Sequence, residues 1–228
     1  SLFSRLMDID ILYEDNHLIA VNKKSGELVQ GDKTRDEPLC DKVKAYLKEK
    51  GDKPGEAFIG VIHRLDRPVS GVVIFAKTSK ALVRMNKLFE EKQIQKSYWA
   101  VTKERPPVHE DTLIHYIAKD EEKNKAHAYS REKKGAKYSE LSYHMNVSLY
   151  GKHLLDIYPK TGRPHQIRIQ LATIGCPIVG DLKYGYPKPM RDKSICLHAK
   201  SIAFIHPVKD EKIRITTKMK AENFIPKV

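Results

Sequence analysis

Two short apolar runs, Phe58-Ile59-Gly60-Val61-Ile62 and Val72-Val73-Ile74-Phe75-Ala76, flank a polar turn and constrain this chain's fold more than any other feature. Apolar runs this short, rich in β-branched side chains, read as buried strands. The connecting segment, His63-Arg64-Leu65-Asp66-Arg67-Pro68-Val69-Ser70-Gly71, sets one carboxylate, Asp66, among His63, Arg64 and Arg67. Pro68 and Ser70-Gly71 favour a fixed turn, so the carboxylate is held in place. Cations fixed beside a carboxylate favour its ionised form, which suits a nucleophile better than a general acid. Taken alone, such a cluster reads first as an ion pair bracing a surface turn.

The remaining periodicities place the other elements. Residues 11–23 read as a hairpin whose apolar runs are parted by Glu14-Asp15-Asn16. Leu39, Val43, Tyr46 and Leu47 recur at helical spacing, and Gly51 supplies a stop. Strands are expected near 58–62 and 71–77, then a helix capped by Thr78 or Ser79 with Leu82, Met85, Leu88 and Phe89 on its apolar side. A strand near 95–102 is broken by Arg105-Pro106-Pro107, and further strands are expected at 111–117, 137–149 and 153–159. Pro164 suits the first residue of a helix that Gly175 ends, and the tail returns to strand at about 195–206 and 211–217. Strands outnumber helices and tight turns join neighbours, which predicts an α+β fold with a largely antiparallel sheet. There is no internal repeat or long linker, and 228 residues at 40% hydrophobic content are ample for one well-packed domain, expected over residues 1–228.

Charge narrows the partners. Forty-two basic against 29 acidic residues leave a net charge of +13, which favours a polyanion such as nucleic acid. Lys119 to Lys137 is the densest basic stretch, with Tyr129 and Tyr138 interleaved; it reads equally as a solvated β-connection or as a patch that tracks a nucleic-acid backbone. No apolar run approaches the ~18–20 residues that span a bilayer, and there is no signal-peptide pattern, so no membrane partner and a cytoplasmic location are expected. Cys40, Cys176 and Cys196 follow no metal-ligand spacing and fit free thiols in a reducing compartment. None of the ten histidines lies in a His-Glu-x-x-His pattern, and no Gly-rich phosphate loop or dinucleotide fingerprint occurs, so no metal and no cofactor is expected.

Five blocks, in order, resemble those of the RluA-type pseudouridine synthases. They are the hairpin Ile11 to Lys23, the loop His63 to Gly71, Lys96-Ser97-Tyr98-Trp99-Ala100-Val101, Lys160-Thr161-Gly162-Arg163-Pro164-His165-Gln166-Ile167-Arg168, and the late pattern of Gly175 to Gly185, Leu197-His198-Ala199 and His206-Pro207. The resemblance implies a single catalytic domain with a mixed central sheet flanked by helices and an RNA-binding cleft. The family's opening hairpin begins at about residue 10, so no S4-like domain is expected before it. Four positions depart from the family pattern: Lys24 for Pro, Val69 for Thr or Ser, Trp99 for a smaller residue and Gln170 for His. They bear on substrate choice rather than on the reaction.

The resemblance also implies roles. Isomerising uridine to pseudouridine breaks the C1′–N1 bond, rotates the base and rejoins it through C5. Asp66 matches the catalytic aspartate, a residue type that forms covalent intermediates. Arg168 matches the arginine that keeps it ionised. On a helix with Ile167, Leu171 and Ile174 as its buried stripe, Arg168 falls at the edge of that face. Tyr98 matches the tyrosine that stacks on uracil and moves a proton. Arg64 is placed to hold a flipped nucleotide. His63, Arg67, Lys96, Arg163 and His165 complete the expected RNA contacts, chiefly to phosphates. The resemblance implies ribosomal or transfer RNA as the partner, and a monomer is expected. A kinase reading of His63-Arg64-Leu65-Asp66 fails because no Gly-rich loop or Asp-Phe-Gly accompanies it. The standing alternative is a non-catalytic RNA-binding or ribosome-assembly protein that has kept the fold.

Overall fold

Short apolar runs and tight turns give a chain built mainly of antiparallel strands. Residues 8–51 and 57–228 are described by a computed structural model, with eleven strands, four α-helices and one 3-10 turn among them. They group into two compact units: one runs to Ile94 and takes up Lys200–Thr217, and the other comprises Gln95–Ala199 and Lys218–Val228. Among the described residues no helix is long and apolar enough to cross a membrane.

In the first unit, β1 (Ile11–Glu14) and β2 (Leu18–Lys23) form the expected hairpin. Asp15 Oδ1 closes its turn by accepting the backbone N–H groups of His17 and Leu18 at 2.7 and 2.8 Å. β2 pairs antiparallel with β4 (Ser70–Ala76), bringing Lys23 opposite Gly71. Both strands are buried almost throughout, which is why they read as continuous apolar runs. Helix α1 (Leu39–Lys50) buries Leu39, Val43, Tyr46 and Leu47, the four residues its spacing singled out. Helix α2 (Ser79–Glu90) is capped by Thr78, whose hydroxyl accepts the Ala81 N–H at 3.0 Å. Its Ala81 and Met85 pack on Leu18, Ala20, Val72 and Ile74, together with Ile202 and Phe204 of β10 (Leu197–Ile205) and Ile215 of β11 (Lys212–Thr216).

One strand is shorter than expected. Of residues 58–62 only Gly60–Val61 pair, as β3 against Phe75 and Ala76 of β4, and Phe58 is exposed. Past Val61 the N–H of Ile74 goes to the His63 ring instead of a strand carbonyl, so the ladder stops there.

The second unit orders its strands β5-β9-β8-β6-β7, each neighbour antiparallel: β5 (Gln95–Thr102), β6 (Glu110–Asp120), β7 (Lys125–Tyr129), β8 (Lys137–Leu149) and β9 (Lys152–Pro159). Much of the basic stretch from Lys119 is therefore the β6–β7 hairpin, and Ala126 on β7 is buried. Helix α3 (Gln166–Thr173) begins two residues later than Pro164 suggested. The Gln166 side chain accepts from Arg163 N and Thr161 Oγ1 and donates to Glu140 O, which pins the approach. The chain then turns left-handed at His165 (φ 57°) before the helix can start. A 3-10 turn (Leu182–Tyr184) and the short α4 (Ala221–Phe224) complete the unit. The α+β class, the largely antiparallel pairing and the free thiols of Cys40, Cys176 and Cys196 are as expected.

Candidate active site

Asp66 sits half-buried in a turn closed by its own carbonyl, which accepts the Val69 N–H at 2.9 Å. Leu65 and Val69 are buried on either side and anchor the turn. His63 fastens it to β4: Nε2 accepts the Ile74 N–H at 2.9 Å, and the ring stacks on Phe89 with centroids 5.1 Å apart. An Nε2 that accepts a hydrogen bond carries no proton, so the imidazole is neutral with its proton on Nδ1. The expected RNA contact by His63 thus gives way, at Nε2, to a bond inside the fold.

A second set of bonds latches the turn to the segment after β2. Lys23 is fully buried, and its Nζ donates to the carbonyls of Lys24 at 2.9 Å and Arg67 at 3.0 Å. Gly26 N–H donates to the same Arg67 carbonyl at 2.8 Å, and the Ser25 hydroxyl to the Pro68 carbonyl at 3.0 Å. Arg67 returns the grip, with Nε on the Gly26 carbonyl at 2.9 Å and Nη2 on the Asp36 carboxylate. Burial pushes the Lys23 ammonium down to about 8, against the pull of the Glu27 and Asp66 carboxylates. Lys23 is therefore within electrostatic reach of Asp66. Lys23 falls in the expected hairpin with no role assigned to it there; its sequence signal is a lysine ending a strand that is apolar from Leu18 to Val21. Arg64, beside Asp66, is exposed.

The second unit carries the other expected residues. Tyr98 on β5 is half-buried opposite Ile157, and Lys96 lies on the same strand face two residues before it. Lys96 Nζ lies 3.2 Å from where a Cβ on Gly162 would stand, so the glycine lets the lysine run against the loop. Burial lowers the Lys96 pKa. Trp99 donates from Nε1 to Asp156 at 3.0 Å and packs near His198 and Phe224. Arg163 Nε donates to the Tyr138 carbonyl at 3.0 Å.

Arg168 is more enclosed than the helical stripe implied. Gln166, Ile167, Arg168, Gln170 and Leu171 are all buried, whereas Ile174 is only half-buried, because α3 is packed on nearly every side. The guanidinium grips Asp181 with Nε and Nη2, both at 2.8 Å, and its Cζ lies 5.1 Å from the Tyr184 ring centre. The Tyr184 hydroxyl meets His165 Nδ1 at 2.6 Å. His165 is buried, so its Nδ1 serves the fold rather than a phosphate. Asp181 and Tyr184 lie in the Gly175–Gly185 run that the sequence matched without assigning roles. Among the described residues no group of three or more His, Cys, Asp or Glu side chains is arranged to hold a metal.

Residues 17–173 match the family model for RNA pseudouridylate synthase, and the chain belongs to that family. It is 36% identical over 212 residues to ribosomal large subunit pseudouridine synthase C of Buchnera aphidicola subsp. Acyrthosiphon pisum, covering 90% of this chain and 65% of that protein. It is 30% identical over 227 residues to tRNA pseudouridine synthase C of Vibrio parahaemolyticus, covering 91% of this chain and 89% of that protein. The fold is that of the human structure named RNA Pseudouridylate Synthase Domain Containing 4, with a TM-score of 0.78 at 23% identity over 97% of this chain and 92% of that one. The chain spans 65%, 66% and 65% of the lengths of three Buchnera relatives it matches.

Proposed function

We propose that residues 1–228 form the catalytic domain of an RNA pseudouridine synthase that isomerises one uridine in ribosomal or transfer RNA. The observation that supports it most is the Asp66 turn, held from both sides by His63 and the Lys23–Gly26 segment, within the span that matches the family. A carboxylate fixed in this way needs little reorganisation to attack. Asp66 is the nucleophile: its carboxylate bonds to C1′ as the C1′–N1 bond breaks, and it leaves C1′ again when C5 of the turned base bonds there. Tyr98 stacks on the base, and once the C5–C1′ bond has formed its phenol oxygen relays the C5 proton toward N1, giving up its own proton as it accepts. Arg168 stabilises the charge on Asp66. The exposed Arg64 holds the flipped nucleotide, while Arg67, Lys96 and Arg163 line the backbone path. The isomerisation is redox-neutral and uses no cofactor. The chain acts as a monomer in this reading.

Because C5 exchanges its hydrogen for C1′, turnover on RNA carrying tritium at uracil C5 releases the label to water. The purified chain, with large-subunit ribosomal RNA and with a transfer RNA pool, is expected to release label from at least one substrate. Absence of release from both, with folded protein, would remove the assignment.

A further inference from the structure

Arg168 is a buried cation whose usefulness depends on where its plane points, and the structure shows what sets that plane. Its side chain and that of Asp181 are 7% and 1% exposed, so each charge requires the other. Asp181 takes Nε and Nη2 with two bonds of equal length, a side-on grip that fixes the guanidinium's rotation and turns its Nη1 end away from Asp181. The Tyr184 ring lies beneath the guanidinium carbon. Tyr184 is pinned in turn: its hydroxyl accepts the Ala126 N–H of β7 at 2.8 Å, which leaves the phenol proton to donate to His165 Nδ1.

The backbone of this segment is shaped to carry the pair. Gly180 has φ +90°, and a Cβ there would stand 2.7 Å from the Ser194 carbonyl oxygen, so only glycine fits. From it the chain enters the 3-10 turn, where the Asp181 carbonyl accepts the N–H groups of Tyr184 and Tyr186 at 3.2 and 3.0 Å. Asp181 and Tyr184 are thus one tight turn apart and face the same arginine.

We propose that Asp181 and Tyr184 are positioning residues that seat Arg168 before substrate arrives, Asp181 by fixing its plane and Tyr184 by supporting its face. This rests on the proposed function above, in which Arg168 acts on the catalytic carboxylate. A seat of this kind preorganises the cation, so its loss acts on the rate of the chemical step more than on RNA affinity.

The test compares wild type, Asp181→Asn and Tyr184→Phe in two arms. The first follows the Arg168 Nε–H signal by NMR, assigned with Arg168→Lys. The wild-type proton is expected to exchange slowly, and Asp181→Asn to speed its exchange. The second measures single-turnover conversion and RNA affinity on one RNA. Asp181→Asn is expected to slow conversion about 100-fold, the scale of a displaced catalytic group, with RNA affinity little changed. Tyr184→Phe keeps the ring and is expected to slow conversion roughly fivefold, the worth of one hydrogen bond. If Asp181→Asn does not fold, Tyr184→Phe carries both arms. Wild-type exchange kinetics in the folded variant, or unslowed conversion per folded molecule, overturns the proposal. A purely structural role would lower stability and leave conversion per folded molecule unchanged. If the wild-type chain converts no RNA, the proposed function falls, and the NMR arm alone decides whether Asp181 seats Arg168.

Discussion

A lysine with no exposed surface closes β2, and its chemistry makes a testable statement about the Asp66 turn. Lys23 bridges the Lys24 and Arg67 carbonyls, and burial holds its pKa at about 8, below the ordinary 10.5. Below about pH 8 both folded and unfolded chains carry the charge, and folding bears the full cost of burying it. Between about 8 and 10.5 the folded chain has released a proton that the unfolded chain retains, so this site's contribution to stability rises with pH. Lys23→Met removes the titrating group at similar length. Urea unfolding at several pH values is expected to show wild type gaining on Lys23→Met from about pH 7.5 to about pH 10. A constant gap over that range contradicts the assignment. The bridge itself spans 44 positions to Arg67, beyond the reach of any local pattern. Periodicity could mark the lysine as anomalous but could not name its partners.

At the scale of elements, local chemistry was legible wherever the deciding bonds are local. Thr78 capping α2 and the apolar spacing of α1 are bonds and contacts within a turn or two of sequence. Thr78→Ala removes the acceptor for the Ala81 N–H, and because Ala81 and Met85 are core residues, the loss is expected in global unfolding as about 1 kcal/mol. An unchanged denaturation midpoint would show that solvent replaces the cap. Where distant groups decide, the sequence misplaced the boundary. β3 stops because Ile74 bonds to His63, and α3 starts late because Gln166 is committed to Thr161, Arg163 and Glu140. The same limit hid the seat of Arg168, whose partner Asp181 is thirteen residues away around the end of α3. Motif resemblance singled out Arg168, but not its enclosure.

For the whole molecule, a charge of +13 on 228 residues predicts how the proposed RNA substrate would be held. Binding through phosphate contacts releases counterions, so log K for a cognate RNA is expected to fall linearly with log salt. A flat dependence would mean that the basic surface takes no part. The catalytic claim rests on one carboxylate. Asp66→Asn keeps the side chain's size and leaves in place the backbone bonds at the Asp66 and Arg67 carbonyls, while removing the carboxylate's negative charge. The measurement is single-turnover release of C5 tritium by wild type and Asp66→Asn on the same RNA, with binding measured in parallel. Wild type is expected to convert the RNA, whereas Asp66→Asn binds it with similar affinity and releases no label above background. Substantial release by folded Asp66→Asn would contradict the account at its centre.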